Sequence, residues 1–166
     1  MFGRIGRLFR GCVSLFKGQK VAIAPIRLAG GATLETNPLL SKDIRFLFEP
    51  NTSTLDMSDP ENLRSLEDIK KLLQVSPGST LLLRGHVDNA LVTKFRQEGG
   101  EAYVRTQALR AMELSKRRAE EIERVLDEKY QVDEMRLDAI GRGWEEPAGA
   151  DSAQNRRVEV QWFTLE

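Results

Sequence analysis

The stretch GEAYVRTQALRAMELSKRRAEEIERVLDEKY, residues 100–130, contains no Gly or Pro after Gly100. Ala108, Met112, Ser115, Ala119, Ile122 and Leu126 recur along it at helical spacing, which predicts one long helix with a continuous apolar seam. The flanking segments supply surfaces to bury that seam. DIRFLFE (43–49) has the aromatic and branched content of a strand. Asp59 followed by Pro60 reads as a helix N-cap and first-turn proline, and Leu63, Leu66, Ile69 and Leu73 keep helical spacing until SPG at 76–78 stops them. STLLLRGHV (79–87) is a short continuous apolar run that fits a central strand. RLDAIGR (136–142) and RVEVQWF (157–163) predict two more strands, the second with Val158, Val160 and Trp162 alternating against Glu159, Gln161 and Phe163. The order predicts an α+β fold, a βαβαββ sandwich in which two main helices cover one face of a mixed four-stranded sheet.

At 166 residues, 40% hydrophobic and 30% charged, the chain has material for one core and an appended segment. Residues 1–41 read as a basic amphipathic segment with an extended, Pro- and Gly-punctuated lead-in, and residues 42–166 as the folded domain. The 25 basic residues balance 25 acidic ones, so no nucleic-acid partner is expected. Residues 1–20 nevertheless carry Arg4, Arg7, Arg10, Lys17 and Lys20 and no acid. Phe2, Ile5, Leu8, Phe9, Cys12, Val13 and Phe16 fall on one helical arc there, a pattern suited to an anionic membrane surface or a partner groove. Gly3, Gly6, Gly11 and Gly18 each weaken such a helix by up to ~1 kcal/mol, and a frayed tail or a remnant of a longer product reads equally well. Arg7, Arg10 and the glycines interrupt the apolar stretch a secretory signal needs, and no segment approaches the roughly 18 apolar residues of a membrane span. Cys12 is the only cysteine, which excludes an internal disulfide.

Four polar elements fall at the ends of the predicted units: GHVD (85–88), LSKRRA (114–119), GRGWEEP (141–147) and NRRVEV (155–160). In this order the chain resembles the OmpA-like peptidoglycan-binding domain, found also in peptidoglycan-associated lipoproteins and flagellar stator proteins, over roughly residues 42–163. The resemblance implies ligand-binding roles for Asp88 and Arg118, with Asn155, Arg156 and Arg157 flanking the same pocket. The implied ligand is the diaminopimelate side chain of a peptidoglycan stem peptide, which carries an ammonium and a carboxylate on one carbon. An anion beside a fork-shaped cation answers that pair. The sequence departs from the family pattern at Val87, Leu91 and Ala111, where the family has threonine, glycine and asparagine. Asp88 and Arg118 stand 30 positions apart, about twice the usual separation, because VTKFRQEGGEAYVRTQALR (92–110) adds a charged loop and extra helical turns.

Other chemistries are poorly supplied. Ser115 has no second histidine to activate it, and His86 with Asp88 lacks further clustered metal ligands, so neither a catalytic set nor a metal or other cofactor is expected. His86 is expected to hydrogen-bond backbone at a strand end, and Trp144 to anchor its loop on the core. The expected function is a non-catalytic module holding a bacterial envelope component to the cell wall, on the periplasmic side and associated with the outer membrane. The alternative is an interaction adaptor that keeps the fold with weakened or lost wall binding, using the 92–110 insertion and the basic N-terminus.

Overall fold

The computed structural model describes residues 44–164 and two short strands, β1 (Ile26–Arg27) and β2 (Thr33–Leu34), which pair antiparallel. The basic amphipathic pattern of residues 1–20 lies outside the described residues. Then follow β3 (Arg45–Leu47), α1 (Pro60–Val75), β4 (Ser79–Gly85), α2 (Val92–Tyr130), β5 (Leu137–Gly141), α3 (Ser152–Asn155) and β6 (Arg157–Thr164). The main sheet has the order β3-β6-β4-β5; β4 and β5 run parallel, and β6 lies antiparallel to both β4 and β3. This is the predicted mixed four-stranded sheet.

Local chemistry sets the element ends. The Asp59 carboxylate accepts the Glu61 N–H at 2.9 Å and Pro60 opens α1, while Ser76 closes it. Leu66, Ile69 and Leu73 are buried as their spacing predicts; Leu63 is only half-buried, and Asn62 is buried instead, donating to Asp56 O at 3.0 Å. β4 is central but covered on one face, so Leu81 and Leu83 are buried while Thr80, Leu82 and Arg84 are half-buried. The core joins Phe46, Leu66, Ile69, Leu81, Leu83, Ile122, Leu126 and Val158, each contributing about 1.5–3 kcal/mol by burial.

α2 differs from expectation in two respects. Residues 92–99, expected as a loop, are helical and join the long helix across a break at Gly100 (φ 64°, ψ −164°). The buried face is Ala111, Ser115, Arg118, Ala119, Ile122, Val125 and Leu126, so the seam is turned from the predicted one: Met112 is exposed and Ala108 half-buried. The turn follows from close packing. A Cβ on Gly85 would stand 1.8 Å from the Ser115 carbonyl oxygen, and one on Gly141 2.5 Å from the Met112 carbonyl oxygen. The helix backbone therefore lies directly on the ends of β4 and β5, and Arg118 is delivered to the loops just beyond them.

Candidate functional site

Beyond Gly85 the chain continues as His86, Val87 and Asp88, held by main-chain bonds to both neighbouring segments. The His86 N–H donates to Arg157 O and the Val87 N–H to Gly143 O, both at 2.8 Å, and the Arg142 N–H donates to Gly85 O at 2.9 Å. Asp88 is thereby fixed on the lining of a cavity of about 590 Å³. It is half-buried, and its Oδ1 accepts the Ala90 N–H at 3.1 Å, a local bond that orients the carboxylate.

Arg118 lines the same cavity from α2. Its side chain is fully buried, and it donates through Nε to Thr52 O at 2.8 Å, through Nη1 to His86 O at 2.9 Å and through Nη2 to Glu49 O at 3.1 Å. A guanidinium has five N–H donors, so two remain for another partner. Burial, with repulsion from Arg156, lowers its pKa to about 10, which leaves it charged at neutral pH. Its partners are main-chain carbonyls and the Phe48 ring, whose centroid lies 5.3 Å from the guanidinium carbon. No carboxylate pairs with it among the described residues, and Asp88 bonds to Ala90 instead.

Of the closing motif, Arg156 faces this cavity: it is half-buried and donates through Nε to Phe48 O at 3.0 Å. Asn155 and Arg157 do not line it. Asn155 is buried and ties the preceding loop, accepting the N–H groups of Ala148 (2.7 Å) and Gly149 (3.3 Å) and donating to Gly149 O (3.0 Å). Arg157 is buried beneath, donating through Nε to Glu159 at 2.7 Å and through Nη2 to Glu146 O at 3.1 Å. The structure thus brings Asp88, Arg118 and Arg156 together and places Asn155 and Arg157 in their support.

His86 departs from expectation. Its main-chain N–H and carbonyl are both engaged, and its buried ring nitrogens have no hydrogen-bond partner among the described residues. Nε2 stands 3.6 Å from Glu159 Oε2, a contact longer than a hydrogen bond. The neighbouring His86 ring, and then the bond from Arg157, hold the Glu159 carboxyl down to about 2 against the opposing effect of burial. A second carboxylate, Glu146, is held below its ordinary range first by Arg142 and is also paired with Arg84. Ser115 is occupied structurally, donating to Met112 O at 2.8 Å and accepting the Gly143 N–H at 2.9 Å. No group of three or more His, Cys, Asp or Glu converges among the described residues.

The insertion supplies lining residues that motif reading missed, Phe95, Gln107 and Arg110, and Leu91 just before it lines the cavity as well. A signal existed, since 107, 110, 111, 114 and 118 share one helical face. Trp144, expected as a core anchor, is instead half-buried outside the core and lines the cavity beside Phe95, with ring centroids 6.2 Å apart and planes inclined by 33°. Val87 and Ala111 add apolar lining. A second groove of about 540 Å³, between β3 and the start of α1, gathers none of the sequence-predicted site residues.

The sequence profile of the OmpA family matches residues 47–161. No curated protein matches the chain. Among solved structures, the fold is similar to the peptidoglycan-associated lipoprotein from Burkholderia pseudomallei, at 22% identity and TM-score 0.56, covering 74% of this chain and 92% of that one. It is similar to the OmpA-like domain of FopA1 from Francisella tularensis at 18% identity and TM-score 0.56, covering 86% and 96%. It is also similar to the periplasmic domain of Helicobacter pylori MotB, at 19% identity and TM-score 0.54, covering 82% and 83%.

Proposed function

This chain belongs to the OmpA family, and we propose that residues 42–166 form a non-catalytic module that binds peptidoglycan and anchors an envelope component to the wall from the periplasmic side. The observation that carries this reading is Arg118, a fully buried guanidinium held by three carbonyls, with no counter-ion among the described residues, beside a cavity that also presents Asp88 and Arg156. A buried charge without a counter-ion is costly, and a ligand carboxylate supplies one. The two uncommitted N–H groups of Arg118, reinforced by Arg156, receive the carboxylate of the diaminopimelate side chain, and Asp88 receives its ammonium. Asn155 and Arg157 act indirectly: Asn155 ties the loop at Ala148 and Gly149 that precedes Arg156, and the Arg157 carbonyl accepts the His86 N–H.

Each charge-assisted bond contributes about 1.5–3 kcal/mol and association costs at least ~4 kcal/mol, so a free stem fragment binds weakly. A wall that repeats the ligand compensates by multivalency when many copies of the protein share one envelope. No helix among the described residues is long and apolar enough to cross a membrane. The five basic residues within 1–20 add attraction to an anionic membrane surface, about 1 kcal/mol each and screened by salt.

The test is co-sedimentation of the intact chain with isolated cell-wall sacculi. Asp88→Asn keeps the shape and the acceptor for Ala90 while removing the charge, and is expected to weaken binding tenfold to more than a hundredfold with an unchanged melting temperature. Equal binding by wild type and variant overturns the clamp. Release of soluble wall fragments during incubation overturns the non-catalytic reading.

A further inference from the structure

Among the described residues, the cavity presents one carboxylate, Asp88, against three guanidinium groups, Arg110, Arg118 and Arg156. A ligand end carrying one ammonium and one carboxylate matches Asp88 and the Arg118–Arg156 pair and leaves Arg110 unanswered. Arg110 is exposed at the rim, and no hydrogen bond or ion pair joins it to the described residues. Of the other arginines of the same helix, Arg96 pairs with Glu101, Arg117 with Glu113, and Arg124 with Glu121 and Glu128, whereas Arg105, which also has no such pair among the described residues, does not line the cavity.

The geometry points to Arg110 as the site for a second carboxylate on the same peptide, so that the pocket selects a stem whose γ-linked glutamate keeps its α-carboxylate free. Arg110 stands eight residues before Arg118 on one uninterrupted stretch of helix, about 12 Å along the axis. In the tripeptide L-alanyl-γ-D-glutamyl-meso-diaminopimelate, the side-chain carboxylate of the last residue and the α-carboxylate of the glutamate are separated by about eleven covalent bonds, enough to cover that distance when extended. Between the two cationic positions the helix presents Ala111 and Leu114, and Phe95 and Trp144 add apolar lining to the same cavity, a surface suited to the methylenes of such a peptide. Arg110 and Phe95 both come from the segment that widens the Asp88–Arg118 spacing, so the insertion is the part of the chain that reads the second residue of the stem.

This inference rests on the wall-binding reading, and titration of the intact chain with three probes separates the two. The probes are meso-diaminopimelate, the tripeptide, and the tripeptide with its glutamate α-carboxylate amidated. Wild type is expected to bind the free-acid tripeptide about tenfold or more tightly than the amide. Arg110→Gln is expected to bring the free acid down to the level of the amide, with binding of the amide and of diaminopimelate unchanged. Tripeptide binding that ignores either Arg110→Gln or amidation overturns the assignment, as does an equal loss for all probes, which would place Arg110 on the diaminopimelate end. If wild type binds neither the probes nor sacculi, the wall-binding reading fails and this inference falls with it.

Discussion

The two halves of α2 belong to one element, broken at Gly100, and live in different environments. From Ala111 to Leu126 the helix buries seven residues against the sheet and α1. From Val92 to Arg110 it buries none, and Leu109 is 73% exposed. The rear half is a structural element set by close packing, with its backbone on Gly85 and Gly141. The front half is a scaffold for side chains, holding Phe95, Gln107 and Arg110 against the cavity while its opposite side stays in solvent. Core packing and cavity lining are therefore separable along a single element, and Arg118 sits where the two regimes meet.

The most direct way to break this contrast is truncation in each half. Ile122→Ala removes a fully buried side chain and is expected to cost about 2–5 kcal/mol in chemical denaturation. Leu109→Ala is expected to change stability by no more than about 0.5 kcal/mol. Similar losses at the two positions would show that the front half carries core packing.

The same division explains what the sequence made legible. Periodicity located α1, the sheet strands and the rear of α2, because those faces are buried and their spacing records it. It misplaced the seam at Met112, since small residues at Ala111 and Ser115, and glycines at 85 and 141, let the helix approach by backbone contact that hydrophobicity does not encode. Residues 92–99 were unreadable as helix because Gly99 and Gly100 together resemble a turn, although only Gly100 leaves helical geometry. Of the residues the motifs single out, Asp88, Arg118 and Arg156 line the cavity, whereas the inward placement of Asn155 and Arg157 depends on loop carbonyls and on Glu159, partners that motif spacing does not specify.

Acid titration sharpens the contrast. The folded Glu159 carboxyl titrates at about 2 against an ordinary value of 4.5. Its stabilising contribution is fully present above pH 4.5, where folded and unfolded chains are both ionised there, and is lost as pH falls from 4.5 toward 2, where only the unfolded chain takes up the proton. With its side chain 28% exposed, about 2 kcal/mol is expected to disappear over that window. His86 and Arg157 face this carboxylate directly, and Arg45 and Arg84 are its register neighbours on β3 and β4. Glu159→Gln should make the stability curve shallower between pH 4.5 and 2, leaving the slope that Glu146, also held below its ordinary range, contributes. The front half of α2 relies on exposed pairs such as Lys94–Glu98 and Arg96–Glu101, which contribute little, so Glu98→Gln should leave the curve unchanged. A steep slope retained in Glu159→Gln would assign the acid sensitivity elsewhere.

The smallest effect on the whole molecule is expected at Gly100, where the contrast is tested as cooperativity. With φ 64° and ψ −164°, the residue occupies a region nearly closed to side chains, and alanine there costs about 1–3 kcal/mol. Nothing lies within 4 Å of the position a Cβ would take, so the cost is backbone strain and not collision. The break lets residues 92–99 fold so that Phe95 meets Tyr103 edge-on, at 5.7 Å between centroids, and lies beside Trp144. Because no residue of α2 before Ala111 is buried, the strain is relieved by opening the front segment alone. In Gly100→Ala, amide hydrogen exchange across 92–99 should accelerate about 5- to 150-fold, while residues 111–130 exchange as in wild type and the denaturation midpoint holds. An equal acceleration in both halves would mean that α2 opens as one unit, and that the insertion is part of the core it was contrasted with.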